Sequence, residues 1–122
     1  MEKIYTALGL MSGTSMDGVD ASIIKSNGED KYEVIYDQYF KYDEKIYKEL
    51  VNIRNKINSS KDLELNSIAL NDIEKKITLF HASVCEKIIS KNPINIDLIG
   101  FHGQTIFHNA NEKISKQLGD AE

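Results

Sequence analysis

The chain has 122 residues, of which 41% are apolar and 28% are charged, which excludes disordered and collagen-like classes and fits one domain or a lobe of a larger protein. Basic residues number 15 and acidic residues 19, and the net charge of −4 argues against non-specific nucleic-acid binding. The single cysteine, Cys85, excludes an internal disulfide. No signal-peptide pattern is recognised, and no apolar run approaches the ~20 residues that span a bilayer. A cytoplasmic location is therefore expected.

The first third of the chain has the residue pattern of strands. Strands are predicted from Lys3 to Met11, from Val19 to Lys25 and from Tyr32 to Tyr42. A turn rich in Gly and Ser covers 12–18 between the first two. The dipeptide Asn27-Gly28 tolerates the positive φ angles of a tight turn, so the second and third strands are expected to form a hairpin.

The middle of the chain changes to a helical period. Apolar residues recur at spacings of three and four over 46–57, which predicts an amphipathic helix with Asp43 as its N-cap. A second, longer helix is predicted to begin near Ser59, where the spacing fits a capping box. It is expected to end at or before Asn92, because Pro93 cannot continue a helix.

The last part of the chain returns to strands. The segment from Ile94 to Phe101 is apolar enough for a strand inside a sheet, and a short hairpin is predicted from 106–108 and 114–118. The order of three strands, two helices and further strands predicts an α/β fold. Its sheet is expected to be mixed, with helices on one or both faces.

The turn after the first strand is the first candidate site. Gly13 and Gly18 remove side-chain bulk, so backbone N–H groups can approach an anion closely. Hydroxyls that can donate to an anion lie in the same turn, on Ser12, Thr14 and Ser15. Asp17 or Asp20 could hold Mg²⁺ directly or through water. Neither a Walker loop nor a dinucleotide fingerprint is present, and an ordinary polar hairpin loop is the alternative to a phosphate site.

The second candidate site follows the fourth strand, at His102-Gly103-Gln104-Thr105. Polar groups at the carboxyl end of a strand are well placed for ligands. Gln104 and Thr105 both donate and accept hydrogen bonds, which suits sugar hydroxyls, and His102 could act as a base or as a donor. The alternative is a polar turn with a hydrogen-bonded histidine.

Weaker constellations are interpreted as structural. His81 and Cys85 have the spacing of a metal pair on the long helix, but a core-packed Cys85 and a half-exposed His81 are expected instead. For the same reason Cys85 is not expected to be a nucleophile. His102 and His108 are expected to diverge across their turn. The tyrosines that resemble a stacking surface are expected to pack on the sheet; they are Tyr32, Tyr36, Tyr39, Tyr42 and Tyr47.

Three segments together resemble a known family. The run LGLMSGTSMDGVDA, Leu8 to Ala21, resembles the N-terminal phosphate motif of the anhydro-N-acetylmuramic acid kinases, which belong to the sugar kinase, heat-shock and actin superfamily. The run GFHGQTIFH, Gly100 to His108, resembles the second signature of that family. The run QLGD, Gln117 to Asp120, resembles the strand that follows it. The matches come in the family's order and span the chain.

The resemblance implies an ATP- and Mg²⁺-dependent enzyme of cell-wall recycling, acting in amino sugar metabolism. It opens the 1,6-anhydro bridge of anhydro-N-acetylmuramic acid with water and phosphorylates O6, giving N-acetylmuramic acid 6-phosphate and ADP. Gln104 and Thr105 would lie near the sugar, and Asp17 and Asp20 would be the Mg²⁺ ligands. The implied ATP-phosphate segment comprises Gly13, Thr14, Ser15, Met16, Asp17, Gly18, Val19 and Asp20.

The implied fold is the ribonuclease-H-like mixed sheet of the superfamily's N-terminal lobe, over residues 1–122 and without the second lobe. The family's catalytic aspartate and adenine-binding elements are expected beyond residue 122, so no general base is assigned here. The expected partner is a small amino sugar, with neither nucleic acid nor membrane, and a homodimer is compatible with the full-length family. Two alternatives stay open: a non-catalytic protein that binds phosphate or sugar, and one subunit of a split kinase.

Overall fold

The computed structural model describes residues 3–13 and 15–120, so Thr14 of the predicted phosphate segment lies outside the described residues. The predicted α/β class with a mixed sheet is confirmed. Along the chain the elements are β1 (Tyr5–Met11), β2 (Gly18–Ser26), β3 (Tyr32–Lys41), α1 (Glu44–Lys56), α2 (Ser60–Leu65), α3 (Ser67–Lys91), β4 (Leu98–Phe101), β5 (Gln104–Asn109) and β6 (Ile114–Leu118).

The main sheet has the strand order β3-β2-β1-β4, and β5 pairs with β6 in a separate hairpin. The first three strands are antiparallel neighbours, as the turn signals predicted. β4 lies parallel to β1, with Gly9 opposite Gly100 and Leu10 opposite Phe101. Because β1 and β4 run in the same direction, both end at one edge of the sheet, and the loops that follow them begin there.

Alternation along the strands decides which sheet face is covered. Leu8 in β1 and Ile23 in β2 are completely buried, together with Leu50 of α1 and Ile77 of α3, in one apolar cluster. Gly9, one position from Leu8, lies on the opposite face and is partly exposed. The helices α1 and α3 therefore cover one face of β1 and β2. None of the helices described here is both long and apolar enough to cross a membrane.

The predicted second helix is wrong in one respect, because the structure divides it at Asn66. That residue has φ −109° and ψ 18°, which is not helical, and it ends α2 and precedes α3. The capping box at Ser59 is present as expected. The end of α3 at Lys91, ahead of Pro93, is confirmed.

The fourth strand is shorter and more exposed than predicted. The chain from Ile94 to Asp97 is irregular. Asp97 makes two hydrogen bonds to Thr6 just before β4 begins. Its N–H donates to the Thr6 carbonyl at 2.8 Å, and its carboxylate accepts from the Thr6 N–H at 2.7 Å. β4 is an edge strand within the described part of the chain, because it pairs with β1 alone. Leu98 and Ile99 are therefore about half exposed, at 50% and 51%.

The N-cap of α1 provides a test of the local energetics. The Asp43 carboxylate accepts from the Ile46 N–H at 2.9 Å, as the sequence predicted. We expect Asp43→Ala to lower the free energy of unfolding by about 1 kcal/mol, because this N–H then loses its acceptor. Asp43→Asn keeps an acceptor oxygen and should cost much less. Urea denaturation measures both, and equal losses in the two variants would contradict the capping role.

Candidate active site

The two loops that the sequence singled out meet at the carboxyl ends of β1 and β4. The side-chain amide of Gln104 donates to the carbonyl oxygen of Gly13 at 2.9 Å, although the two residues are 91 positions apart. Ligands in open α/β sheets bind outside the carboxyl ends of the strands. The two candidate segments therefore lie together at this edge of the sheet.

The loop from Ser12 to Gly18 is held by its own backbone and by a buried side chain. The Met16 N–H donates to the Gly13 carbonyl at 3.1 Å, and the N–H of Tyr42 donates to the Asp17 carbonyl at 2.8 Å. Met16 has a φ of 58°, and its side chain is fully buried, as is that of Val19. These two members of the predicted phosphate segment can offer only backbone groups to a ligand.

Asp17 presents an ionised carboxylate at the surface of this loop. It accepts hydrogen bonds from the hydroxyl of Ser15, at 2.8 Å, and from the hydroxyl of Tyr39. The Tyr39 bond is the largest cause that lowers the pKa of Asp17, and the nearby charge of Lys41 acts in the same direction. Partial burial and the same carboxylate raise the pKa of Tyr39 to about 12. Asp17 can therefore carry charge toward a cation at neutral pH.

Gly18 is required where β2 begins, because β3 passes very close to it. A Cβ at this position would lie 2.6 Å from the Tyr39 hydroxyl oxygen and would clash with the carbonyl of Phe40. Among the described residues that do not adjoin it in the chain, a Cβ at Gly13 would meet only the Ser15 hydroxyl, at 3.8 Å. Gly18 therefore lets Tyr39 reach Asp17, whereas Gly13 has room around it.

Asp20 has different surroundings from Asp17. It lies on β2 beside Asp37, and a hydrogen bond between the two carboxyl groups is the main cause that raises the pKa of Asp20. Asp37 also accepts from the Ser22 hydroxyl at 2.9 Å. No group of three or more His, Cys, Asp or Glu side chains that could hold a metal occurs in 3–13 and 15–120. Magnesium often needs only one or two protein carboxylates besides substrate phosphates, so Mg²⁺ binding here stays a prediction.

Sequence reasoning missed a cavity of about 460 Å³ on the sheet face away from the helices. Gly9 and Gly100 lie side by side in its floor, with Asp20, Ser22 and His102 also in its lining. A Cβ built at Gly9 meets nothing within 4 Å. Glycine in the middle of a strand was the available signal, since it often marks a close approach of backbone to a ligand or to another chain segment.

The second candidate segment is only partly accessible. Gln104 is completely buried and begins β5, so it belongs to a strand and not to a polar turn. Thr105 is half-buried, and its hydroxyl accepts from the Gln117 amide at 3.4 Å. His102 is exposed, with Nδ1 3.3 Å from the Gly103 carbonyl. A sugar contact by Gln104 or Thr105 stays a prediction.

Behind the loop lies a buried polar cluster that the sequence did not indicate. The Ser12 hydroxyl oxygen is 3.1 Å from the Tyr42 hydroxyl and 3.4 Å from Nε2 of His81. The Ile77 carbonyl can only accept, so Nδ1 of His81, 2.8 Å away, carries the proton. Burial is the main cause that lowers the pKa of His81, which favours a neutral ring whose Nε2 accepts.

This cluster corrects one expectation about α3. His81 is only 2% exposed, and Cys85 is intermediate, so the histidine is the core residue and the cysteine is the partly exposed one. The reason is that the Nδ1–H of His81 donates to the Ile77 carbonyl and Nε2 lies 3.4 Å from the Ser12 hydroxyl, so both ring nitrogens have a polar neighbour in the core. Burial raises the pKa of the Cys85 thiol, which disfavours a nucleophilic thiolate as expected.

Comparison with known proteins identifies the family of the chain. The sequence profile described as anhydro-N-acetylmuramic acid kinase matches residues 5–122. A protein of that name from Pelagibacter ubique is 65% identical over 120 residues, covering 98% of this chain and 32% of the relative. Namesakes from Agrobacterium fabrum and Rhodospirillum rubrum are each 34% identical, with 98% and 93% of this chain covered and 33% and 29% of theirs. The chain thus spans about a third of the length of these curated relatives.

The profile match indicates the carbohydrate kinase class, and the mixed α/β sheet is consistent with it. Within that class, the chain belongs to the anhydro-N-acetylmuramic acid kinase family.

The two loop glycines give the first test of the site geometry. We expect Gly18→Ala to lower the free energy of unfolding by about 1–3 kcal/mol, because the new methyl group overlaps Tyr39 and the Phe40 carbonyl. Gly13→Ala is the matched control and should change it by less than about 1 kcal/mol. Chemical denaturation measures both values. A Gly18→Ala variant as stable as the control would show that β3 does not approach so closely.

The Tyr39 hydroxyl gives the second test. Removing it in Tyr39→Phe should raise the pKa of Asp17 toward its usual value, because the largest stabiliser of the carboxylate is lost. The ionised form of Asp17 favours the folded state above the unfolded pKa of ~3.9, and this contribution is lost as the pH falls through the lower folded pKa. Carboxyl NMR titration measures the shift, with the exposed Tyr32→Phe as control. An unchanged Asp17 pKa would rule out this bond.

Proposed function

We propose that this chain supplies the ATP-phosphate loop and one border of the sugar site for the phosphorylation of 1,6-anhydro-N-acetylmuramic acid. The products are N-acetylmuramic acid 6-phosphate and ADP. The observation that carries the proposal is the 2.9 Å hydrogen bond from Gln104 to Gly13, which joins the two signature segments at one sheet edge. The family membership and the names of the relatives support the choice of substrate.

In the proposed loop, backbone groups carry the phosphate contacts. Gly13 is exposed, and a Cβ there would be in ordinary contact with the Ser15 hydroxyl oxygen at 3.8 Å, so a phosphate can approach this backbone and the exposed Ser15. The side chains of Met16 and Val19 anchor the segment in the core, and Gly18 sets where β2 begins. Thr14 completes the hydroxyl set that the sequence predicts.

Mg²⁺ fits the donors that this loop offers. Carboxylate oxygens are preferred ligands for this ion, and Asp17 is exposed and ionised at neutral pH. When bound with ATP, the metal would neutralise charge on the phosphate oxygens. Asp17 is the candidate that the loop itself presents, whereas Asp20 lies on β2 beside Asp37.

The proposed reaction balances as a coupled hydrolysis and phosphoryl transfer. A water oxygen forms a bond to C1 of the sugar, and the bond between C1 and O6 breaks. O6 then takes the γ-phosphoryl group of ATP, and the β,γ bridge bond breaks to release ADP. The base that takes the proton from water is assigned to none of the described residues. The border of the sugar site would be the segment from Gln104 to Thr105, next to the loop.

A cytoplasmic location and a homodimer stay predictions.

Ligand-dependent stability tests the binding half of this proposal. At 100 times its Kd, Mg²⁺-ATP should stabilise the chain by about 2.7 kcal/mol, which corresponds to a rise in Tm of roughly 10 °C. We expect Asp17→Ala to lose most of this rise, because the cation then lacks its carboxylate. Asp72→Ala, which removes an exposed carboxylate on α3, is the control and should keep it. No rise with Mg²⁺-ATP in the unsubstituted chain would overturn the proposal.

Product analysis tests the chemical half. The chain is incubated with Mg²⁺-ATP and the anhydro sugar in ¹⁸O-labelled water, and the products are weighed by mass spectrometry. A kinase that opens the ring with water gives a phosphorylated sugar with one ¹⁸O atom. Because none of the described residues is assigned as the base, little of this product is expected from the chain by itself, and full turnover by it would overturn that assignment.

A further inference from the structure

The side chain of Gln104 is an amide that is fully buried beside a loop proposed to bind phosphate. Its nitrogen donates to the Gly13 carbonyl at 2.9 Å and to the Thr105 carbonyl at 3.2 Å. Its oxygen accepts from the Tyr42 hydroxyl at 3.2 Å. Both carbonyls can only accept, so the amide cannot turn over without losing two bonds.

The hydrogen bonds to the two carbonyls use both N–H donors of the Gln104 side chain. A side-chain amide carries two N–H donors, and Gly13 and Thr105 take both. With no surface exposed, the group cannot donate to a sugar hydroxyl unless a bond to the protein breaks first. The contacts therefore favour a role inside the protein.

Tyr42 extends the hold of Gln104 to both ends of the loop. The Tyr42 hydroxyl lies 3.1 Å from the hydroxyl of Ser12, where the loop begins. The backbone N–H of Tyr42 donates to the carbonyl of Asp17, near the end of the loop. The ring is 2% exposed and packs edge-on against Phe80, with centroids 4.8 Å apart. Gln104 thus contacts Gly13 directly and reaches Ser12 and Asp17 through one rigid neighbour.

We infer that Gln104 is a positioning residue, which fixes the Ser12–Gly18 loop through the Gly13 carbonyl and the Tyr42 hydroxyl instead of contacting the sugar. The consequence for nucleotide binding rests on the proposed function, whereas the hold on the loop does not. Loss of the amide removes the bond between β5 and the Gly13 carbonyl, which then keeps only the Met16 N–H among the described donors, so the backbone groups that would face phosphate are held less firmly. The sugar site should be affected much less.

The first arm of the test needs no ligand. Gln104→Met has a side chain of similar length and removes the amide, and amide hydrogen exchange by NMR measures the loop. We expect the amides of Met16 and Tyr42, which close the loop, to exchange at least tenfold faster, while that of Ile23 in β2 stays unchanged. Unchanged exchange at Met16 and Tyr42, or equal acceleration at Ile23, would overturn the inference.

The second arm separates positioning from sugar contact. Calorimetric titration should give a Kd for Mg²⁺-ATP about tenfold weaker in Gln104→Met, with the Kd for the anhydro sugar within about twofold. The reverse pattern would make Gln104 a sugar ligand and refute the positioning role. If the unsubstituted chain binds no Mg²⁺-ATP, the proposed function fails, and the exchange arm alone decides the inference.

Two further variants complete the design. Gln117→Met is the matched control, because Gln117 is a half-buried glutamine of the same hairpin that bonds to Ser115 and Thr105; it should leave the exchange at Met16 unchanged. Tyr42→Phe keeps the ring and removes only the hydroxyl, and it should accelerate exchange at Met16 about fivefold. If Gln104→Met does not fold, unchanged exchange at Met16 in Tyr42→Phe would refute the inference.

Discussion

The parallel pairing of β4 with β1 is the constraint on which the site depends. A parallel pair needs a long crossover, and here α1, α2 and α3 lie within that connection, after the β2–β3 hairpin has extended the sheet on the other side. The pairing brings Met11 and Phe101 to the same edge, so the loops that follow are neighbours. It also sets Gly9 against Gly100, which keeps the exposed face above them free of side chains.

Polar side chains buried behind that edge fix the conformation of the neighbouring loops. Ser12, Tyr42, His81 and Gln104 come from separate parts of the chain, and each is at most 4% exposed. An unpaired buried polar group is costly, so each must keep its partners for the others to stay satisfied. In the described part of the chain no buried side-chain nitrogen or oxygen lacks a partner. The loop conformation is therefore tied to the packing of α3 and β5.

Local sequence predicted what depends on neighbours along the chain. The N-cap at Asp43, the capping box at Ser59, the Asn27-Gly28 hairpin and the helix end ahead of Pro93 were all recoverable, since each depends on contacts within a few residues. The break at Asn66 was not, because apolar periodicity continues across it. Nor was the exposure of β4, whose apolar residues are also typical of a central strand.

The sequence by itself determined the α/β class, the family and the two signature segments, because residue types and order carry that information. Only the tertiary structure decided what the individual side chains do. Gln104 and His81 looked like accessible polar groups and are buried, while Asp17 and Asp20 looked equivalent and have opposite pKa shifts. The physical reason is that burial and electrostatic environment arise from contacts between distant segments, such as Gln104 with Gly13.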